Sequence, residues 1–447
     1  MKTSIPPVLI TFAFVCFGLF PKAQAVVPPP DGGYPGFTTA EGQNALKNLT
    51  TGSGNTAVGW YSLFSDTTGS FNTGVGAGAL VLNTAENNTA TGAAALLSNT
   101  TGVASTANGA FALLSNTTGY ENTATGAFAL SSNTEGRLNT ANGVDALFSN
   151  STGQLNTAIG AAALNRNTIG YNNTAVGYAA MLGNTTGPAN TAMGSFALNS
   201  NTEGISNVAV GESALSSNST GGENTATGVD ALSSNTEGIR NTANGAQALV
   251  SNTTGSDNTV LGYGAGFSLT TGNGNVCIGA GVVGVAGENS TTRIRNIYGS
   301  DANARAVYVN SDDKIGTLTS SRRFKEEIKP MEKASEVLFA LKPVSFRYKK
   351  EFDAGRAPMF GLIAEDVEQV DPDLVSRNDK GEVDTVRYEQ INAMLLNEFL
   401  KEHRKNEEQE AMIARQQKQI DALTGGLQKV SAQLEASKPA TQVVNNP

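Results

Sequence analysis

The chain has 447 residues, among them 50 glycines, 18 phenylalanines, 10 tyrosines and one tryptophan, which argues against a single large globular core and prompts a search for repeats. Acidic residues outnumber basic ones by 39 to 30, for a formal charge of -9, and no basic patch stands out, so nucleic acid is set aside as a partner. With His403 as its only histidine, a single chain can hold neither a His-based triad nor a multi-His metal site, and no cofactor is expected.

Residues 1–25 read as an export signal. Lys2 precedes an apolar run at residues 8–20, and Ala23-Gln24-Ala25 is a small-x-small cleavage site. The run is too short for a good membrane span and no later stretch is apolar enough to be one, so no integral membrane segment is expected after signal removal. A secreted or cell-surface protein follows. Cleavage after Ala25 removes Lys2 and Lys22 but no acid, leaving 28 basic against 39 acidic residues and a charge of -11. Cys16 leaves with the signal, so Cys277 is alone and no intrachain disulfide forms. Residues 26–54 are a Pro/Gly-rich lead-in.

From residue 55 to 289 one motif recurs every 17 residues, with a single step of 16, starting at Asn55, Asn72, Asn88, Ser105 and so on to Asn275. Fourteen units this regular predict a β-solenoid. The specimen "NTATGAFALSSNTEGRL" (residues 122–138) shows the fixed positions. The third residue is small and the fifth is always glycine; the ninth is Leu or Met from Leu63 to Leu249. A short strand over "NTAxG" with its third residue inward, a corner at the glycine and a larger core side chain from "xxAL" account for this. "NTTG" or "NTEG" closes the coil as a turn. The stretch "xxALxxN" fits either a second strand or one helical turn. Stacked asparagines can form hydrogen-bonded ladders, and variable positions such as 5–7 and 15–17 are expected to face water. Cys277 falls in an inward small-residue slot, which predicts a buried structural thiol. The array would be roughly 65 Å long. Its thin core would gain from three chains packing together. The pattern resembles the head regions of trimeric autotransporter adhesins and phage tail-fibre shafts, and a surface glycan or other cell-surface ligand is the partner class that resemblance implies. Regular threonines also admit an ice-binding or surface-binding solenoid.

Residues 290–319 read as a β-neck, with alternating strands in "TTRIRNIYG" and "RAVYVNSDDKIGTLTSS" and a turn at residues 311–313. At the junction, Ser320 and Lys325 stand five residues apart beside Arg322 and Arg323. A Ser-Lys pair cleaves peptides if the lysine is neutral enough to take the serine proton, which burial favours. The plain alternative is a solvated helix start capped by Ser320 or Ser321.

Four motifs follow in order: "SSRRFKEEIKPM" (residues 320–331), "LKPVSFRY" (341–348), "GLIAEDVEQVDPDLV" (361–375) and "VRYEQINAMLLNEFLKEH" (386–403). Together they resemble the intramolecular chaperone of endosialidase, the self-cleaving module that ends many phage tail spikes, over residues 318–434. The resemblance implies a domain that trimerises, nucleates folding of the fibre ahead of it and releases itself. It assigns Ser320 as nucleophile and Lys325 as its base, with the cut between Thr319 and Ser320. Ser321 stands where the family commonly has Asp, one residue closer to Lys325, and Glu365 stands where glutamine is usual.

The expected small α+β domain at residues 320–400 has a short helix around Val337, Leu338 and Leu341, a strand at "VSFRY" and a long helix from Ile391. Residues 401–436 carry an a/d seam, with Ile413, Ile420, Leu427 and Leu434 seven apart and Leu423 and Val430 between them, hence a coiled coil. Gln416 is a polar seam residue, and Gly425-Gly426 weakens the helix. The heptads alone allow a dimer or a trimer. Residues 437–447 read as a disordered tail. The expected whole is mainly β: a secreted trimeric fibre with a self-cleaving chaperone, the alternatives being an inert permanent trimerisation domain or an ice-binding solenoid.

Overall fold

Short strands flanking an inward alanine set the architecture. In the computed structural model, which describes residues 36–297, 307–309, 314–316, 320–350, 355–378 and 380–437, the chain divides into two units, Met1–Ser300 and Asp301–Pro447. The first is a parallel β-solenoid. Sixteen three-residue strands, from Thr39–Glu41 to Thr292–Ile294, stack in sequence order into one sheet. Neighbours are parallel and in register, Ala124 beside Ala141 and Ala141 beside Ala158. At the usual strand spacing the stack is roughly 70 Å long. It takes in one coil beyond the 55–289 array at each end: Thr39–Glu41 comes from the expected lead-in, and Thr292–Ile294 from the expected neck. The signal, residues 26–35, the turn at 311–313, Thr319 and the tail from 438 lie outside the described residues.

Within the coil at residues 122–138, Thr123 and Thr125 point outward and Ala124 is buried. Gly126 ends the strand with φ +122°, and a Cβ there would lie 2.6 Å from the carbonyl carbon of Gly143. Only glycine meets both conditions. The next stretch is neither a second strand nor a helical turn. Phe128 and Leu130 lie in the left-handed region, φ 59° and 52°, with right-handed or extended backbone between them. This alternation aims successive N–H groups in different directions. Phe128 donates to Ala110 of the preceding coil at 3.0 Å, Ala129 to Gly126 of its own at 3.3 Å, and Leu130 to Ala146 of the next at 3.0 Å. Left-handed bulky residues cost about 1–2 kcal/mol each. The inter-coil bonds offset this, as does complete burial of Leu130, which contributes about 1.5–3 kcal/mol.

Asparagine ladders form as expected. In one file, the Asn139 backbone N–H donates to Asn122 Oδ1 at 3.1 Å, while Asn139 Nδ2 donates to the Gly153 carbonyl at 2.8 Å. In the other, Asn150 Nδ2 donates to Asn133 Oδ1 at 2.8 Å and to the same Gly153 carbonyl at 3.0 Å. A Cβ on Gly153 would lie 2.3 Å from Asn150 Oδ1. The fifteenth position is therefore a buried glycine and not a water-facing variable site; positions 16 and 17 do face water, as Arg137 and Leu138 show. Hydroxyls make a third file: Thr134 Oγ1 donates to the Ser151 carbonyl at 3.1 Å and Ser151 Oγ to that of Thr168 at 3.0 Å.

The second file begins at Asp66 and stops where Leu269 takes the rung, leaving the buried Asn252 Oδ1 without a partner. Burial is the main cause that pushes the Asp66 carboxyl above its ordinary range. At the other end Cys277 is a buried free thiol, pushed up chiefly by burial. Arg293 fills the same slot one coil on, and its pairing with Glu288 holds that carboxyl below its usual range.

In the second unit, Tyr308–Val309 pairs antiparallel with Ile315–Gly316, as a neck hairpin would. Glu332–Ala340 is a 3₁₀ stretch where a short helix was expected. Val344–Phe346 pairs with Met359–Gly361 and Val375–Arg377 with Val383–Val386. Between these hairpins lies the helix Ala364–Val370, with Glu365 and Asp366 in its first turn, where its dipole favours acids. Val367, Leu374, Val375, Val386 and Ile391 form the core. Tyr388–Ala436 is one 49-residue helix, unbroken through Gly425-Gly426. No helix among the described residues is long and apolar enough to cross a membrane.

Two substitutions probe the solenoid. Because the raised Asp66 pKa means its carboxylate destabilises the fold once pH exceeds the unfolded value, Asp66→Asn should stabilise at neutral pH by about 1 kcal/mol. The gain should shrink below the carboxylate range, as thermal melts at both pH values would show. Gly143→Ala should destabilise by about 1–3 kcal/mol, read as a lower Tm.

Candidate functional site

Downstream of the hairpin at residues 308–316, the second unit sets two serines in front of a single 3₁₀ turn. Ser321 is extended, φ -66° and ψ 138°, and the turn Arg322–Phe324 follows it. The Phe324 N–H donates to the Ser321 carbonyl at 3.0 Å and the Lys325 N–H to that of Arg322 at 3.1 Å. This reversal brings the five-residue pair together: Lys325 Nζ donates to Ser320 Oγ at 3.1 Å. The lysine's hydrogen bond goes to Ser320 and not to the neighbouring Ser321. Arg322 and Arg323 face solvent, and the Arg323 guanidinium lies over the Phe324 ring, 4.6 Å from its centroid. The burial that the sequence argument asks of Lys325 is not there, since Ser320 and Lys325 are both exposed within this unit.

A second polar group was not foreseen. Ser335, in the 3₁₀ stretch, is fully buried. Its hydroxyl donates to Glu398 Oε1 and accepts from Asn397 Nδ2 at 2.6 Å and Lys401 Nζ at 3.4 Å. Lys401 also donates to Glu398 Oε1 at 2.7 Å, and Asn397 to the Glu332 carbonyl at 3.2 Å. The Lys401 ammonium, with the Ser335 hydroxyl, holds the Glu398 carboxyl below its ordinary range. More than sixty residues separate Ser335 from its partners. The only local sign is that Asn397, Glu398 and Lys401 share one helix face.

A family model described as Peptidase_S74, chaperone of endosialidase, matches residues 320–376. No curated protein and no solved structure matches the chain. The second unit thus carries a chaperone-of-endosialidase segment behind a long repeat solenoid. The match is shorter than the resemblance expected over residues 318–434 and stops before the long helix.

A depressed carboxylate stabilises above its unfolded pKa and loses that contribution as pH falls toward the folded one. Acidification through the ordinary carboxylate range should therefore loosen residues 332–340 from the long helix. Faster amide exchange across that segment at acid than at neutral pH, after correction for intrinsic rates, is the expected result.

Proposed function

We propose that the chain is an exported trimeric fibre whose carboxyl-terminal unit trimerises, chaperones folding of the solenoid and then cuts itself off between Thr319 and Ser320. The carrying observation is that the chaperone match begins at Ser320, the residue whose hydroxyl Lys325 holds. The long helix supports trimerisation. Its seam residues Ile413, Ile420, Leu423, Leu427, Val430 and Leu434 are 53–71% exposed on a single helix. Packing against two further copies would bury them, each contributing up to about 1.5–3 kcal/mol. Export rests on the signal read in residues 1–25, and a surface ligand on the fibre-like array.

In the proposed cut, Ser320 Oγ attacks the Thr319 carbonyl carbon while Lys325 takes the hydroxyl proton. The C–N bond breaks as that proton passes to the departing Ser320 amine, leaving an ester. Water then hydrolyses the ester, giving a Thr319 carboxylate and a free Ser320 hydroxyl. Desolvation favours the neutral amine a general base needs, and assembly would provide it by removing water around the dyad. Exposure of both side chains favours a second reading, in which the unit trimerises and is never cut.

Intact mass and a denaturing gel separate the two. Wild type should yield a fragment beginning at Ser320. Ser320→Ala should stay whole, and Lys325→Ala should cut about 10²–10⁴-fold more slowly. Ser321→Ala should cut at the same bond, because Lys325 holds Ser320. If wild type stays intact while trimeric, the permanent-cap reading replaces this one.

A further inference from the structure

We infer that Ser335, Asn397, Glu398 and Lys401 form a clasp that positions the Ser320–Lys325 pair and couples it to assembly of the long helix. The inference rests on the proposed cleavage. Among the described residues, Ser335 is the one polar side chain fully buried in the second unit. The segment already has apolar packing there, since Val337, Leu338 and Leu341 lie against the core around Ile391. Hydrophobic contact alone would hold it, and a buried hydroxyl adds little net stability. What a fully satisfied polar cluster adds is a single geometry. Here two side-chain donors and a carboxylate converge on one oxygen, and Asn397 also grips the Glu332 carbonyl.

The placement gives that geometry a use. Residues 326–330 are exposed and, among the described residues, make no hydrogen bond to another element, so Glu332 and Ser335 are the first points after Lys325 where a hydrogen bond ties the chain to the helix. Seven residues from Lys325 to Glu332 span at most about 25 Å. The clasp therefore limits where the pair can sit relative to the helix. The same helical turns carry Leu395, Leu396, Phe399 and Leu400, all exposed. Burying them against other copies would exclude water from the neighbouring Lys401–Glu398–Ser335 bonds, which are stronger in a lower dielectric. Assembly thereby tightens the anchor, and the tightened anchor restrains the dyad. These are positioning residues and do not touch the reacting atoms.

The test uses the full chain and three variants: Ser335→Ala, Glu398→Gln and the conservative Lys401→Arg. Light scattering reads assembly, the Ser320 fragment reads cleavage, and amide exchange over residues 321–331 reads restraint. Ser335→Ala and Glu398→Gln should assemble as wild type does, cut about 10–100-fold more slowly and exchange faster over 321–331. Lys401→Arg should keep most of both. Wild-type cutting and exchange in Ser335→Ala would overturn the coupling. So would failure of both disruptive variants to assemble, because the cluster would then serve fold stability alone. If wild type itself is never cut, the dyad reading falls, and unchanged exchange over 321–331 in Ser335→Ala would remove the clasp's positioning role as well.

Discussion

One hydrogen-bonding arrangement governs the solenoid: two asparagine side chains from adjacent files donating to a single buried glycine carbonyl, as Asn139 and Asn150 do at Gly153. A coil with only Ala and Leu inside cannot fill its interior with apolar volume. Amides fill it instead, and they are tolerable there because nearly every buried donor and acceptor finds a partner in the next coil. The same demand fixes glycine at two positions. At Gly143 a Cβ would strike the following coil's backbone, and at Gly153 it would strike the ladder itself. The strained Leu130 conformation depends on this stacking too, since its N–H is satisfied only by the neighbouring coil.

That construction creates a folding problem. Each coil satisfies its polar groups through its neighbours, so an isolated coil has little stability and the stack must propagate from an end. Coils are also nearly alike, so pairing that slips by one whole repeat loses little energy. A separately folded unit that fixes the start would remove the ambiguity, and three chains started together would share one register. The proposed role of the carboxyl-terminal unit answers this need. Its core around Val367 and Ile391 is built from ordinary apolar contacts and owes nothing to a ladder.

Much of this is legible in residue spacing. The period of 17 and the inward Ala124 and Leu130 follow from local rules, as do the corner at Gly126 and the stacked asparagines. The backbone from Phe128 to Leu130 does not, because its left-handed residues are selected by carbonyls one coil away and not by their own propensity. The last coil was hidden for a related reason: Arg293 breaks the small-residue pattern while still occupying the inward slot, paired with Glu288, whereas the first keeps Ala40 and Gly42 and departs at Thr38, where the leading asparagine would stand. The Ser320–Lys325 contact follows from a five-residue spacing across one turn. Its exposure could not be read there, since burial depends on what packs nearby. Ser335 and Lys401 are joined only by tertiary structure, beyond the reach of any motif.

The most direct test of the central claim is refolding from denaturant of the full chain and of a chain ending at Thr319, scored by recovery of protease-resistant solenoid. Recovery is expected only for the full chain, with the solenoid surviving once folded even after the carboxyl-terminal unit is removed. Equal recovery, at equal rate, from the truncated chain would contradict it.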